Sequence, residues 1–95
     1  MIAEATGEIC NMATIVNQRG LHARAAARFV KLVSQFESEV VVAKGGMEVS
    51  GRSIMGLMML AAAIGSNIEI RATGPDAERA VQAIIDLIDG RFEED

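Results

Sequence analysis

The chain of 95 residues holds one histidine, His22, within the run Gly20-Leu21-His22-Ala23-Arg24. Imidazole is neutral and nucleophilic near pH 7, with an unperturbed pKa of about 6.5, whereas a lysine amine would be mostly protonated there. A serine would hold a transferred phosphate too stably for a group meant to be passed on. From Ala23 the pattern turns helical, so His22 stands directly before a helix N-terminus, where the first N–H groups lack intrahelical acceptors and the dipole is positive. A phosphoryl group on His22 would meet donors from the backbone of Ala23 and Arg24. Phosphoryl transfer asks mainly for positioning and stabilisation of spread charge, and Arg24 can bring its guanidinium to the phosphoryl oxygens. A histidine near a helix end also has a plainer use as a cap or surface residue, and His22 with Arg24 does not by itself decide between the two.

A second segment, Ser53-Ile54-Met55-Gly56-Leu57-Met58, bears on the first. Ser53 can cap a short helix running to Leu60, its hydroxyl accepting from an unpaired first-turn N–H. Ile54, Met55, Leu57, Met58, Met59 and Leu60 make that helix apolar nearly all round, more than a small helix on a sheet can bury. Leu57 and Leu60 are expected in the core. Ile54, Met55 and Met58 are expected to stay exposed as a docking patch near His22, with Arg24, Arg28 and Lys31 beside it.

Cys10 is the only cysteine, which excludes an internal disulfide, and with one histidine no Cys/His zinc site can be assembled within the chain. No metal or cofactor is expected, and Cys10 reads as a strand residue without chemistry. A net charge of −4 argues against nucleic acid as the main partner, yet the charge is uneven. Ile9 to Phe36 carries Arg19, Arg24, Arg28 and Lys31 and no acid, so a +4 segment sits in a remainder of −8, and one face should attract an acidic partner. The start Met1-Ile2-Ala3-Glu4 lacks the basic residues and apolar run of a secretory signal, and Ile54 to Ile64 is too short to span a bilayer. A cytoplasmic monomer with no membrane insertion is expected.

A chain of this length forms one domain with one core. A strand is predicted from about Ile9 to Val16, broken by Asn17-Gln18-Arg19-Gly20. Ala26, Phe29, Val30 and Val33 then recur at helical spacing, with Arg24, Arg28 and Lys31 on another stripe and an end near Ser34. Glu39 to Ala43 and Met47 to Val49 should form a hairpin about Lys44-Gly45-Gly46. After the Ser53 helix, which Gly65-Ser66-Asn67 would end, Ile68, Ile70 and Ala72 alternate with Glu69, Arg71 and Thr73 as a half-buried strand. Gly74-Pro75-Asp76 starts a last helix whose buried stripe is Ala77, Ala80, Val81, Ile84 and Ile88, with Gly90 as its stop. The order βαββαβα is an α+β layout whose helices can cover one face of a small sheet.

Gly20-Leu21-His22-Ala23-Arg24, followed some thirty residues later by the Ser53 segment, resembles the histidine-containing phosphocarrier protein (HPr) family of the bacterial phosphoenolpyruvate-dependent phosphotransferase system. The resemblance runs from about Ile9 to Gly90, with Met1 to Glu8 and the acidic end through Glu93-Glu94-Asp95 outside it and read as frayed. It implies an open-faced β-sandwich: a four-stranded antiparallel sheet with three helices on one face. It further implies that His22 accepts the phosphoryl group through Nδ1 from Enzyme I and passes it to an EIIA-type acceptor, with Arg24 as electrostatic helper. Ser53 becomes a regulatory serine, the target of an HPr serine kinase/phosphorylase in relatives that have one. The chain departs from the family at Ala25, where a proline usually follows the arginine; alanine keeps the N–H but loses the fixed φ.

Two other readings stay open. The same chemistry serves equally in a regulatory or nitrogen-linked branch that moves no sugar, and the sequence does not separate the branches. A non-catalytic α+β ligand- or RNA-binding module fits less well. RNA binders want exposed aromatics for stacking, and this chain has only Phe29, Phe36 and Phe92.

Overall fold

The structure is a computed structural model that describes residues 8–94. Its elements are β1 (Glu8–Thr14), α1 (Ala23–Val33), β2 (Glu39–Lys44), β3 (Met47–Ser50), α2 (Ile54–Met59), β4 (Asn67–Thr73) and α3 (Ala77–Asp89), followed by a single 3₁₀-type turn, Arg91–Glu93. The four strands form one sheet in the order β1-β4-β2-β3, with every neighbouring pair antiparallel. The three helices cover one face of it, an open-faced α+β sandwich.

The alternation read from the sequence explains this layering. Ile68, Ile70 and Ala72 of β4, Val40 and Val42 of β2, and Ile9 and Ala13 of β1 all point to the covered face and are buried. Onto them pack Ala25, Ala26, Phe29 and Val33 from α1, Leu57 from α2, and Ala77, Ala80, Val81, Ile84 and Ile88 from α3. The hairpin between β2 and β3 pairs Lys44 with Met47, and the two residues between them, Gly45 and Gly46, take φ of 56° and 86°. Only a residue free of a Cβ adopts such values readily, and a type I′ turn needs both. Asp76 opens α3 but does not cap it with its side chain. Its carboxylate instead accepts from Ser38 Oγ at 2.6 Å and the Glu37 amide at 2.9 Å, fastening the start of β2 to the start of α3. These bonds, the Ser38 hydroxyl first, hold the Asp76 carboxyl below the usual aspartate range.

On the uncovered face, Cys10 Sγ donates to Glu69 Oε2 at 2.9 Å. That bond, with burial and the adjacent carboxylate charge, pushes the thiol up to about 11, so it stays protonated near neutral pH. Arg71 pairs with Glu48 at 2.5 Å and with Glu69 at 3.5 Å on the same face.

Two expectations are corrected. β1 begins at Glu8, which pairs with Thr73, and its ladder ends at Thr14. Beyond it Ile15 exchanges backbone bonds with Gly65 and Ser66 instead of a strand, because the chain there has already turned towards α1. Helix α2 keeps its expected extent, with Ser53 as N-cap and Leu60 as C-cap; the amides of Leu60 and Ala61 bond back to Leu57 and Met58 in a tightened last turn, and Ala61 takes a left-handed φ of 51°. The expected fraying of the C-terminal end does not hold for Arg91 to Glu94, where Phe92 is buried to 1% exposure. The expectation for residues 1–7, and for Asp95, lies outside the described residues.

Candidate functional site

The site is built from the segment between β1 and α1. Asn17 is fully buried, and its Nδ2 donates to the carbonyl of Gly20 at 2.8 Å, closing the loop on itself. Gly20 takes φ of 64°, and a Cβ there would meet the Ala62 carbonyl oxygen at 2.4 Å. That close approach lets the next amide, Leu21 N–H, donate to Ala62 O at 2.9 Å while the Leu21 side chain enters the core. With Leu21 turned inward, His22 is thrown outward as the N-cap of α1, its backbone extended at φ −77°. Its carbonyl accepts from Ala26 N–H, but its side chain caps nothing. The first turn of α1 carries no acid of its own. The amides of Ala23, Arg24 and Ala25 precede the first intrahelical bond, so the positive end of the helix is uncompensated beside the ring.

The imidazole forms part of the wall of a pocket of about 510 Å³, together with Gln18, Arg19, Arg24, Arg28, Glu93 and Glu94. Three guanidinium-bearing residues thus face one cavity, the composition expected of an anion site. Arg28 is fixed by donating through Nη1 to the carbonyl of Phe92. Glu94 is fixed more firmly: its Oε1 accepts from Asn17 Nδ2 at 2.8 Å and from the Arg19 amide at 3.4 Å. The same oxygen lies 3.6 Å from His22 Nε2. The Asn17 bond above all, helped by the Arg19 amide and the nearby imidazole, holds the Glu94 carboxyl below the usual glutamate range against the opposing effect of partial burial.

The turn that delivers Glu94 is unusual, with φ of 61°, 52° and 61° at Arg91, Phe92 and Glu93. Left-handed backbone costs about 1–2 kcal/mol for each residue with a Cβ. Burial of the Phe92 ring contributes roughly 2–3 kcal/mol, and a charge-assisted bond such as that from Arg28 a further 1.5–3 kcal/mol or so, of the same order as the strain.

Of the residues singled out in the sequence, His22, Arg24 and Arg28 come together in this pocket. Ala23 is exposed at the helix start but is not part of the pocket wall. Lys31 lines a separate shallow depression with Arg28, Leu32, Gln35, Leu87 and Glu93. Ser53 lies outside the pocket as the N-cap of α2, its Oγ accepting from Gly56 N–H at 2.9 Å. Ile54, Met55 and Met58 are exposed, at 42%, 73% and 43%, while Leu57 and Leu60 are buried. Met59 and Ile64, not included in the expected patch, extend this apolar surface. A groove lined by Leu21, His22 and Ala61 to Ala63 connects the ring to the segment that follows α2.

Sequence reasoning missed Asn17, Arg19 and Glu94. The one signal that could have found Glu94 is Phe92, a large aromatic in an otherwise charged end, which has no reason to be there unless it is buried. Among the described residues no cluster of three or more histidine, cysteine or carboxylate side chains could hold a metal ion, and no helix is long and apolar enough to cross a membrane.

An open-faced α+β sandwich with a single imidazole at an arginine-lined helix mouth defines a class, the small histidine-containing carrier domains. The family described as PTS HPr component phosphorylation site matches residues 9–90. The phosphocarrier protein HPr of Neisseria meningitidis serogroup A is 54% identical over 84% of this chain and 90% of its own length. The phosphocarrier protein NPr of Shewanella violacea is 41% identical over 85% and 89%. The crystal structure of HPr-C-His from Thermoanaerobacter tengcongensis superposes with a TM-score of 0.87 at 40% identity, covering 92% of this chain and 98% of that one. The chain belongs to the HPr family of the phosphotransferase system.

Two outcomes are expected from this geometry. Gly20→Ala combines a left-handed φ with a clash against backbone, and should lower stability by roughly 3 kcal/mol in urea unfolding. The Asn17–Glu94 tether rests on an ionised carboxylate whose folded-state value is depressed. It is therefore complete above the ordinary glutamate value of about 4.3 and is lost as pH falls through the lower value of Glu94 itself. The Asn17 side-chain amide resonances should therefore show a transition that lies below the ordinary glutamate value.

Proposed function

We propose that His22 carries a phosphoryl group between proteins of the phosphotransferase system, taking it from Enzyme I and giving it to an EIIA-type acceptor. The observation that carries this reading is the position of the ring: an N-cap imidazole not spent on capping, on the wall of a cavity shared with Arg19, Arg24 and Arg28. In the accepting step the Nδ1 lone pair attacks phosphorus in line with the departing donor atom, which keeps the bonding electron pair. The three phosphoryl oxygens then lie among the guanidinium groups and the unpaired amides at the mouth of α1, where their charge is best stabilised. In the second step the acceptor's nucleophile attacks phosphorus and the N–P electron pair returns to Nδ1. Little else is asked of the protein, since such transfers proceed mainly by positioning. With Enzyme I as its donor, the carrier works in the cytoplasm as a single copy.

Arg28 and the exposed Ile54, Met55 and Met58 are assigned to partner docking, with Lys31 at the margin. Flexible methionines suit a surface that must accept donor and acceptor in turn. Ser53 is assigned the regulatory role. Its phosphate would bring about two negative charges to the rim of that apolar patch, weakening the docking of Enzyme I. A second reading, a nitrogen-linked branch with the same chemistry, is favoured by the likeness to an NPr protein.

Incubation with phosphoenolpyruvate and Enzyme I should give one acid-labile phosphoryl adduct by intact mass, absent in His22→Ala and formed roughly ten-fold or more slowly in Arg24→Ala. An adduct that survives His22→Ala would reject the assignment. With ATP and an HPr serine kinase, a second, acid-stable adduct should appear, be missing in Ser53→Ala, and slow the Enzyme I reaction. Offering sugar-branch and nitrogen-branch EIIA proteins separately identifies the acceptor.

A further inference from the structure

We propose that Met55 and Met59 of α2 form an oxidation site, and that conversion of their thioethers to sulfoxides by a peroxide closes the docking face to Enzyme I. The proposal rests on the carrier reading of His22 and of the α2 patch, and it adds a redox modification to the helix that Ser53 caps.

The arrangement of α2 carries it. Met55 and Met59 are 73% and 63% exposed, the highest values among the described methionines. Four positions apart, they stand one turn from each other on the outer side of the helix, while Leu57 between them is buried and holds the helix to the core. Ser53 Oγ fixes the start of the helix by accepting from Gly56 N–H, so the helix is held without either exposed sulfur.

A cysteine sensor, by contrast, is closed. Cys10, the only cysteine, lies on the uncovered face of the sheet and donates to Glu69 at 2.9 Å. That bond above all, with burial and the adjacent carboxylate charge, pushes the thiol up to about 11, and the thiolate is the form that peroxides attack. A thioether keeps its lone pairs at every pH and needs only access. Oxidant therefore finds the α2 methionines before it finds the cysteine.

In the step itself a sulfur lone pair attacks one oxygen of hydrogen peroxide. The S–O bond forms, the O–O bond breaks, and the departing hydroxide takes the proton of the transferred oxygen and leaves as water. Sulfur is oxidised by two electrons and the peroxide is reduced. The product is a polar, chiral side chain in place of a flexible apolar one. A surface that must shed water to dock then carries an acceptor that is costly to desolvate unless the partner donates to it. A methionine sulfoxide reductase fed by a dithiol reverses the change, the dithiol becoming a disulfide and the oxygen leaving as water.

The test treats the whole chain with hydrogen peroxide, maps the added oxygen by peptide mass, and times phosphoryl uptake from Enzyme I below saturation. Oxygen should enter Met55 and Met59 ahead of Met58 and Met47, with the Cys10 thiol still free. Uptake should slow roughly ten-fold, the size of burying one unpaired polar group, with the urea midpoint unchanged, and should recover after reductases for both sulfoxide epimers. The double variant Met55→Leu, Met59→Leu keeps apolar side chains of similar volume, and its uptake, measured against its own untreated rate, should not change with peroxide. Met12→Leu removes a methionine 57% exposed on the uncovered face and should stay as sensitive as the wild type. Wild type with oxygen on Met55 and Met59 that keeps its untreated rate would overturn the proposal. So would a double variant as sensitive as the wild type, or a loss of uptake that follows a lowered urea midpoint. An untreated wild type that takes no phosphoryl group from Enzyme I would instead reject the carrier reading and the docking consequence with it, while the oxygen map still judges the modification site.

Discussion

The functional end of the molecule hangs on one backbone contact, the Leu21 amide against the Ala62 carbonyl at 2.9 Å. It joins the loop before α1 to the segment after α2, two pieces of chain that neither helix alone would bring together. Gly20 makes the approach possible by having no side chain, and Leu21 locks it by entering the core. The consequence for His22 is geometric. A residue following an inward-turned leucine and preceding a helix turns away from the core, and its half-buried ring arrives at the N-terminal mouth of α1 without being drawn into a capping bond.

Around that ring the electrostatics are divided. Arg19, Arg24 and Arg28 supply positive charge on the side of the helix mouth, while Glu93 and Glu94 bring carboxylates from the turn, that of Glu94 held by a buried amide. The two kinds of charge do not cancel, because the Glu94 carboxylate is tied to Asn17 and the imidazole and cannot swing freely to a guanidinium. An anion of several oxygens thus finds more donors than it finds repulsion, and the ring sits between the two fields.

Much of this was legible in the residues. β4 and α3 announced themselves through uninterrupted periods of two and of about three and a half, and the glycine pair of the hairpin through its turn chemistry. His22, Arg24 and Arg28 were legible because they lie on one short segment, where spacing along a helix translates directly into neighbourhood. The contribution of Glu94 was not, since it is separated from Asn17 by 77 positions and no local pattern records a contact of that range. The end of α2 near Leu60 was legible, but the left-handed Ala61 and the bond from Leu21 N–H to the Ala62 carbonyl that follow it were not. An acidic end invites a reading as solvated chain, and only the volume of Phe92 argued otherwise.

The strand order has a consequence for how the molecule comes into being. β4 lies between β1 and β2, so Glu8 must find Thr73 before the sheet can close, across most of the chain. Long-range pairing of that kind raises contact order and slows assembly relative to a helical bundle of similar length. The turn carrying Phe92 packs its ring into the core that the sheet and helices enclose, so the wall of the anion cavity shares its cohesion with the sheet.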